Sequence, residues 1–312
     1  MRLAAKPVGA VLLFLGFQSA AAQSMPLAKT IDREHHSVVA ILRVDSSGQP
    51  LMVGSGVVIH PRVVLTAGHV ILDEAREAPG GARAEGFVAL GENALDPDAR
   101  YQFRWLDDVV SHPETGAFWE SLADTTGLMD PWAFADIGLV FPRTPIENRI
   151  PARLPSPHAL MPRSVDDSLV GAGYGYHMVP DSTFGDELVD GLRRKWSVQR
   201  ATLVNDLWLS ASCDSVRSLT YIGPFDSGAP LFMGDDVVVG IWSGWAPAEE
   251  TCPFSSAAVR IDSPAVLEWI RGRVRERLGV ELMDVDTPSG ETPQRESGST
   301  GATGSRQASS HN

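Results

Sequence analysis

The sequence predicts an all-β fold, in sandwich or barrel form, closed by one C-terminal helix. Three observations carry that expectation. Short apolar runs rich in Val and Ile recur from His36 to Ile261, at lengths that suit strands. Turn residues separate them, in a chain with 29 Gly and 22 Pro, which favours many short strands over long helices. A helical period appears only near the end of the chain.

The expected strands, in order, are Val38–Val44, Val57–Ile59, Val63–Leu65, Phe87–Leu90, Ile137–Phe141, Leu169–Gly171, Pro230–Phe232 and Val237–Trp242. Between the fifth and its predecessor lies Gly116–Trp132. It carries Phe118, Trp119, Leu122, Leu128, Met129 and Trp132 among several acids. It has no strand alternation and reads as a long surface insertion with a helical turn. Near the end, Ser263-Pro264 reads as an N-cap followed by proline at the first helical position. Val266, Ile270, Val274 and Leu278 then recur every fourth residue, an apolar stripe that Gly279 stops. No internal repeat is evident.

The two ends stand apart from this pattern. Residues 1–22 read as a signal peptide. Arg2 and Lys6 precede the apolar run Val8–Phe17, and Ala20-Ala21-Ala22 offers a cleavage site. The run is too short for a permanent membrane span, and no Cys follows it for a lipid anchor. Residues 23–30 are expected to form a short propeptide. The segment 284–312 is Ser, Gly, Thr, Pro and Glu with almost no apolar residue, and is expected to be a disordered tail. The reading is therefore a secreted or periplasmic monomer that leaves the membrane after signal cleavage. Losing Arg2 and Lys6 takes the formal charge from −13 to −15, and such an acidic surface argues against nucleic acid as a partner. In an exported chain Cys213 and Cys252 could form one disulfide, contributing about 4 kcal/mol through the loop it closes.

Acyl transfer by a serine needs a hydroxyl, a base for its proton, and a group that orients the base. Three candidates stand at strand ends, where rigid elements can place loop chemistry. His69 ends Thr66-Ala67-Gly68-His69, directly after Val63-Val64-Leu65. Asp136 opens Asp136-Ile137-Gly138-Leu139-Val140. Ser227 lies in the small-residue turn Asp226-Ser227-Gly228-Ala229-Pro230, before Leu231-Phe232. Small neighbours let a carbonyl approach the serine and its backbone N–H groups.

Together these segments resemble the chymotrypsin–trypsin family of serine peptidases, and their order His, Asp, Ser is that family's own. Supporting segments fall between them. Gly54-Ser55-Gly56-Val57-Val58 resembles the strand before the His, and Val110-Ser111-His112-Pro113 a stretch before the Asp. Gly173-Tyr174-Gly175 resembles the start of the second barrel. Gly240-Ile241-Trp242-Ser243 resembles the strand that pairs with substrate, and Ala257 to Trp269 the last strand and helix. The resemblance covers residues 31–279. It implies two six-stranded antiparallel β-barrels, the first at about 36–150 and the second at about 160–262, with a C-terminal helix at 263–278.

The implied function is a secreted serine endopeptidase acting through an acyl-enzyme, with a polypeptide substrate. Ser227 would be the nucleophile, His69 the base and then the acid, and Asp136 the group that fixes the imidazole tautomer. The backbone N–H groups of Phe225 and Ser227 would form the oxyanion hole. Tyr221 and Ile222 would floor the specificity pocket, with Ser243, Gly244, Trp245, Ser255 and Ser256 as walls. No Asp stands at the position that selects Arg or Lys, so apolar or small side chains are the expected preference. No cofactor is implied. No metal is expected either: His35-His36 has no third ligand at useful spacing, and Asp73, Glu74 and Glu77 suit a helical face.

Three departures from the family pattern matter. Phe225 stands where the family has Gly, and a Cβ restricts the torsions that aim its N–H. The usual activation sequence is absent, so Asp226, the family's partner for a freed amine, needs that amine from processing near Ile31 or an internal donor such as Arg33, His35 or His36. The disulfide around the catalytic His is absent, with Gly54 and Val70 in place of its two Cys. The first and second departures support an alternative reading, a catalytically weak or silent homologue that acts by binding.

Overall fold

The computed structural model describes residues 30–44, 49–72, 85–94, 100–124, 126, 129–160, 168–175, 194–203, 205–212, 225–234, 236–246 and 255–282. The expected signal peptide, nearly all of the propeptide, the tail, Cys213, Cys252, Tyr221 and Ile222 lie outside the described residues.

Among the described residues the first element is β1 (Thr30–Ile31). The first sheet then contains β2 (Val38–Val44), β3 (Pro50–His60), β4 (Val63–Thr66), β5 (Glu85–Ala89), β6 (Arg100–Arg104), β7 (Val109–Ser111) and β8 (Gly138–Val140). Their spatial order is β6-β5-β2-β3-β4-β8-β7. The outermost strands β6 and β7 are consecutive in the chain. After β8, Phe141 donates its N–H to Asp108 O at 2.7 Å and Arg143 to Gln102 O at 3.0 Å. The sheet thus curls back on itself, and β6 and β7 share the place of one strand, broken where Trp105 turns inward and is buried. A reading based on apolar runs misses β6 because RYQFR has none and buries only Phe103.

The second sheet holds β9 (Ser168–Gly173), β10 (Lys195–Leu203), β11 (Trp208–Ser212), β12 (Pro230–Met233), β13 (Val237–Ala246) and β14 (Ser255–Arg260). Strand β9 pairs with both β12 and β10, so these six strands form a closed ring without free edges. β1 pairs with the start of β10, which β11 does not reach, joining Thr30 to Trp196 and Ile31 to Lys195. The fold is the all-β double barrel that the sequence predicts.

The insertion is more ordered than its sequence suggests. Helix α2 (Thr115–Ala123) follows the short α1 (Gly68–Ile71) in chain order. A 3-10 turn at Pro131–Ala133 is capped by the Asp130 carboxylate, which accepts the Trp132 N–H. Phe118 is 2% exposed and stacks on Trp208 of β11 at 5.1 Å, while Trp132 meets the same indole edge-on. One face of this segment is therefore core, bridging both barrels. Helix α3 (Pro264–Leu278) begins after Ser263 and ends at Gly279, whose φ of 68° permits the left-handed stop. It buries Val266, Leu267, Ile270 and Val274. It returns to the first barrel, where Trp269 meets His112 edge-on and Arg277 bonds Asp108.

Candidate active site

The first barrel delivers a histidine and an aspartate as one unit. Strand β4 runs straight into α1, so His69 sits one residue past the start of that helix. Asp136 precedes β8, which pairs with β4 through Leu65–Leu139 and Thr66–Gly138. Gly68 makes the approach possible. A Cβ there would lie 2.2 Å from Thr115 Oγ1 and 2.9 Å from Asp136 Oδ1. In its absence the His69 N–H donates to Asp136 Oδ1 at 2.9 Å, and His69 Nδ1 stands 2.6 Å from Asp136 Oδ2. A carboxylate accepts only, so Nδ1 carries the proton and Nε2 is left as the acceptor. Asp136 is fully buried and the His69 side chain 22% exposed, which suits a base that meets substrate and a partner that does not.

The second barrel delivers the serine. Gly228 has a φ of 87°, and a Cβ there would lie 2.1 Å from Ser55 O and from Thr66 Oγ1. Both features require glycine. The turn is stitched to β13: Gly228 donates to Trp242 O at 2.7 Å, and Trp242 to Ala229 O at 2.9 Å. The two barrels meet at this turn, where Ser55 N–H donates to Ser227 O at 2.8 Å. Gly54 leaves room for the contact, since its Cβ would fall 2.8 Å from the same carbonyl. The Ser227 hydroxyl donates to Ser243 O at 3.3 Å.

Ser243 is more than a pocket wall. It is 2% exposed, and its own hydroxyl donates to Asp136 Oδ2 at 2.5 Å. It therefore touches both the aspartate of the first barrel and the serine of the second. Gly244 and Trp245 continue β13 beside it, and Ser255 and Ser256 pair with Ala246 and Trp245 from β14.

Phe225 takes up the conformation that glycine would adopt there. Its φ is 71°, in the left-handed region that costs a residue with a Cβ about 1–2 kcal/mol. Its ring packs partly buried against the main core, and its carbonyl accepts a hydrogen bond from Ser55 Oγ at 2.8 Å. The next residue, Asp226, is 3% exposed and accepts the Gly175 N–H at 2.7 Å. The carboxylate fills the space that side chains at Gly173 and Gly175 would need. His35, an internal donor considered for Asp226, bonds Asp32 instead, with Nδ1 at 3.0 Å from Oδ1. Arg33 is exposed, and Ile31 is held in β1.

Three contributors escape sequence reasoning. Trp119 of α2 meets His69 with ring centroids 4.8 Å apart at 63°; nothing in the sequence separates it from the other apolar residues of the insertion. Ser55 looks like an ordinary strand residue. Arg194, 2% exposed, bonds Asp32 at 3.0 Å across 162 positions, a pairing with no local signal. Among the described residues no group of His, Cys, Asp and Glu could hold a metal ion, and no helix is long and apolar enough to cross a membrane.

No curated protein matches the chain. Among solved structures, it is similar to a scabies mite inactivated protease paralogue (TM-score 0.55, 16% identity, 80% of this chain and 98% of that one). It is similar as well to HL collagenase (TM-score 0.55, 14% identity, 82% and 99%) and to the protein called GrC (TM-score 0.53, 14% identity, 79% and 98%). At such identities these likenesses speak to fold alone. The family model described as Trypsin matches residues 29–270, a span that takes in both barrels, the His69–Asp136 pair and the Ser227 turn. The chain belongs to the trypsin family.

Proposed function

We propose that this chain is an exported serine endopeptidase, secreted or periplasmic, that cleaves polypeptides through an acyl-enzyme intermediate. The observation that carries the reading is Asp136: fully buried, it receives the Nδ1 and N–H of His69 and the hydroxyl of Ser243, an arrangement that fixes the imidazole with Nε2 free to take a proton. Catalysis requires the Ser227 hydroxyl to leave the Ser243 carbonyl and to meet Nε2. Oγ attacks the scissile carbonyl as its proton passes to His69. The imidazolium, stabilised by Asp136, returns that proton to the leaving amine, and a water repeats the sequence to free the acyl group. The N–H groups of Phe225 and Ser227 receive the charge that develops on the carbonyl oxygen. The pocket expected at Tyr221, Ile222, Ser243, Gly244 and Trp245 would take apolar or small side chains, and Asp226 supports the turn by accepting the Gly175 N–H.

A second reading, a weak or silent homologue, is favoured by the Ser227 hydroxyl resting on a carbonyl and by Phe225 in place of glycine. Labelling the purified mature protein with a fluorophosphonate decides between them. Labelling that is lost in both Ser227→Ala and His69→Ala establishes the triad. Folded protein that never labels, with or without its first 30 residues, favours the silent homologue.

A further inference from the structure

We propose that Ser55 is a positioning residue that holds Phe225 in its left-handed conformation and thereby keeps the turn before Ser227 in catalytic shape. The functional part of this inference rests on the peptidase reading above.

Ser55 is fully buried in β3 of the first barrel, yet its polar groups all serve the nucleophile turn of the second barrel or that turn's supports. Its N–H donates to Ser227 O at 2.8 Å. Its carbonyl accepts Thr66 Oγ1 at 2.7 Å and packs where a Cβ on Gly228 would fall. Its hydroxyl accepts the Tyr174 N–H at 3.0 Å and donates to Phe225 O at 2.8 Å. A hydroxyl has one proton to give. The amide of Tyr174 can only donate, so that proton is directed to Phe225.

The bond matters because of what it holds. A residue with a Cβ prefers negative φ, and Phe225 sits at 71°. Turning Phe225 back would swing its carbonyl away from Ser55 and leave the fully buried Ser55 hydroxyl without that acceptor, a cost comparable to the strain it relieves. The same rotation would move the peptide units on either side of Phe225, one of which carries the N–H proposed for the oxyanion hole. A glycine at 225 would need no such clamp. The serine and the phenylalanine are thus two halves of one arrangement.

The test is a double-mutant cycle of Ser55→Ala and Phe225→Gly, read by fluorophosphonate labelling rate, by kcat and KM on a peptide found by library profiling, and by the crystal structure of Ser55→Ala. Alone, Ser55→Ala is expected to lower kcat and labelling about 10–100-fold, somewhat less than outright loss of an oxyanion donor, with KM within about 3-fold. In the Phe225→Gly background the same change should cost less than about 3-fold, because glycine keeps the turn unaided. Equal losses in both backgrounds would overturn the proposal, since a merely structural serine is felt alike in each. The crystal structure should show residue 225 at negative φ; a φ that stays near 71° overturns it as well, whether or not the protein is active. Wild type that never labels would sink the peptidase reading and leave the φ measurement to decide this one. Should the alanine variant fail to fold, Ser55→Cys keeps the side-chain shape with a weaker donor and should show the same loss and the same rescue.

Discussion

Asp32 and Asp136 are both fully buried, and each accepts a hydrogen bond from the Nδ1 of a histidine, His35 at 3.0 Å and His69 at 2.6 Å. Their surroundings then diverge. Asp32 also faces the guanidinium of buried Arg194 at 3.0 Å and the N–H groups of Glu34 and His35, while His35 lies stacked on Phe232. Its charge is balanced in the resting protein. Asp136 is met by an imidazole, an amide and a hydroxyl, and the rim of His69 reaches solvent. Among the described residues its one ion-pair partner is His69, so under the proposed function the balancing cation forms when His69 takes up a proton. The same two side chains thus make a fixed staple where an arginine completes the pair and, under the proposed function, a proton-transfer device where the cation is made during the reaction.

The largest expected effect tests the second half of that contrast. Asp136→Asn keeps the shape but exchanges a pure acceptor for a group that also donates, so the tautomer of His69 is no longer enforced. The expected outcome is a fall of about 10⁴-fold in kcat near neutral pH in a protein whose unfolding midpoint barely moves. A fall below about 10-fold would mean that the pair is structural, like its counterpart. Asp32→Asn should do the reverse. Removing one partner of a buried ion pair leaves Arg194 uncompensated and costs about 3–5 kcal/mol, read by urea unfolding, with labelling per folded molecule within about 2-fold of wild type.

Acid sharpens the same point. Burial alone would raise the Asp32 carboxyl, but the His35 ring, the N–H groups of His35 and Glu34 and the Arg194 charge together hold it at about 2, against about 3.9 in an unfolded chain. The folded pKa is the lower one. The stabilisation is therefore complete above about pH 4 and is lost as pH falls through about 2, amounting to about 2–3 kcal/mol. Wild type should lose this much more stability than Asp32→Asn between pH 5 and pH 2, and equal losses would remove Asp32 from the account.

What could be read from the sequence was what is local. His69, Asp136 and Ser227 each sit in a short segment with its own pattern of glycine and apolar neighbours, and the fold brings His69 and Asp136 into direct contact. Strands with a dry face, such as VVAILRV in β2, were legible for the same reason. Strands β6 and β10 were not, because neither RYQFR nor KWSVQRATL holds a run of consecutive apolar residues, the cue that marked the others. The support of the site was hidden by distance in the chain. Ser55 reaches Phe225 over 170 positions and Arg194 reaches Asp32 over 162, and nothing near either serine or arginine signals the partner. Phe225 was legible as a departure, but its left-handed φ depends on what surrounds it.

The smallest expected effect concerns the insertion, where two neighbouring aromatics on α2 divide the labour. Phe118 is buried on Trp208, whereas Trp119 is 40% exposed and leans on His69. An edge contact between aromatic rings contributes about 0.5–1.5 kcal/mol, which corresponds to about 2–10-fold in rate if it acts only on the orientation of His69. Trp119→Ala should therefore slow labelling by about that factor, while thermal stability changes little for so exposed a side chain. An unchanged rate would make the insertion a scaffold that merely passes the site. A loss of 100-fold or more would place Trp119 alongside Asp136 among the groups that hold the histidine, and the division between a buried anchor and an open rim would need to be redrawn.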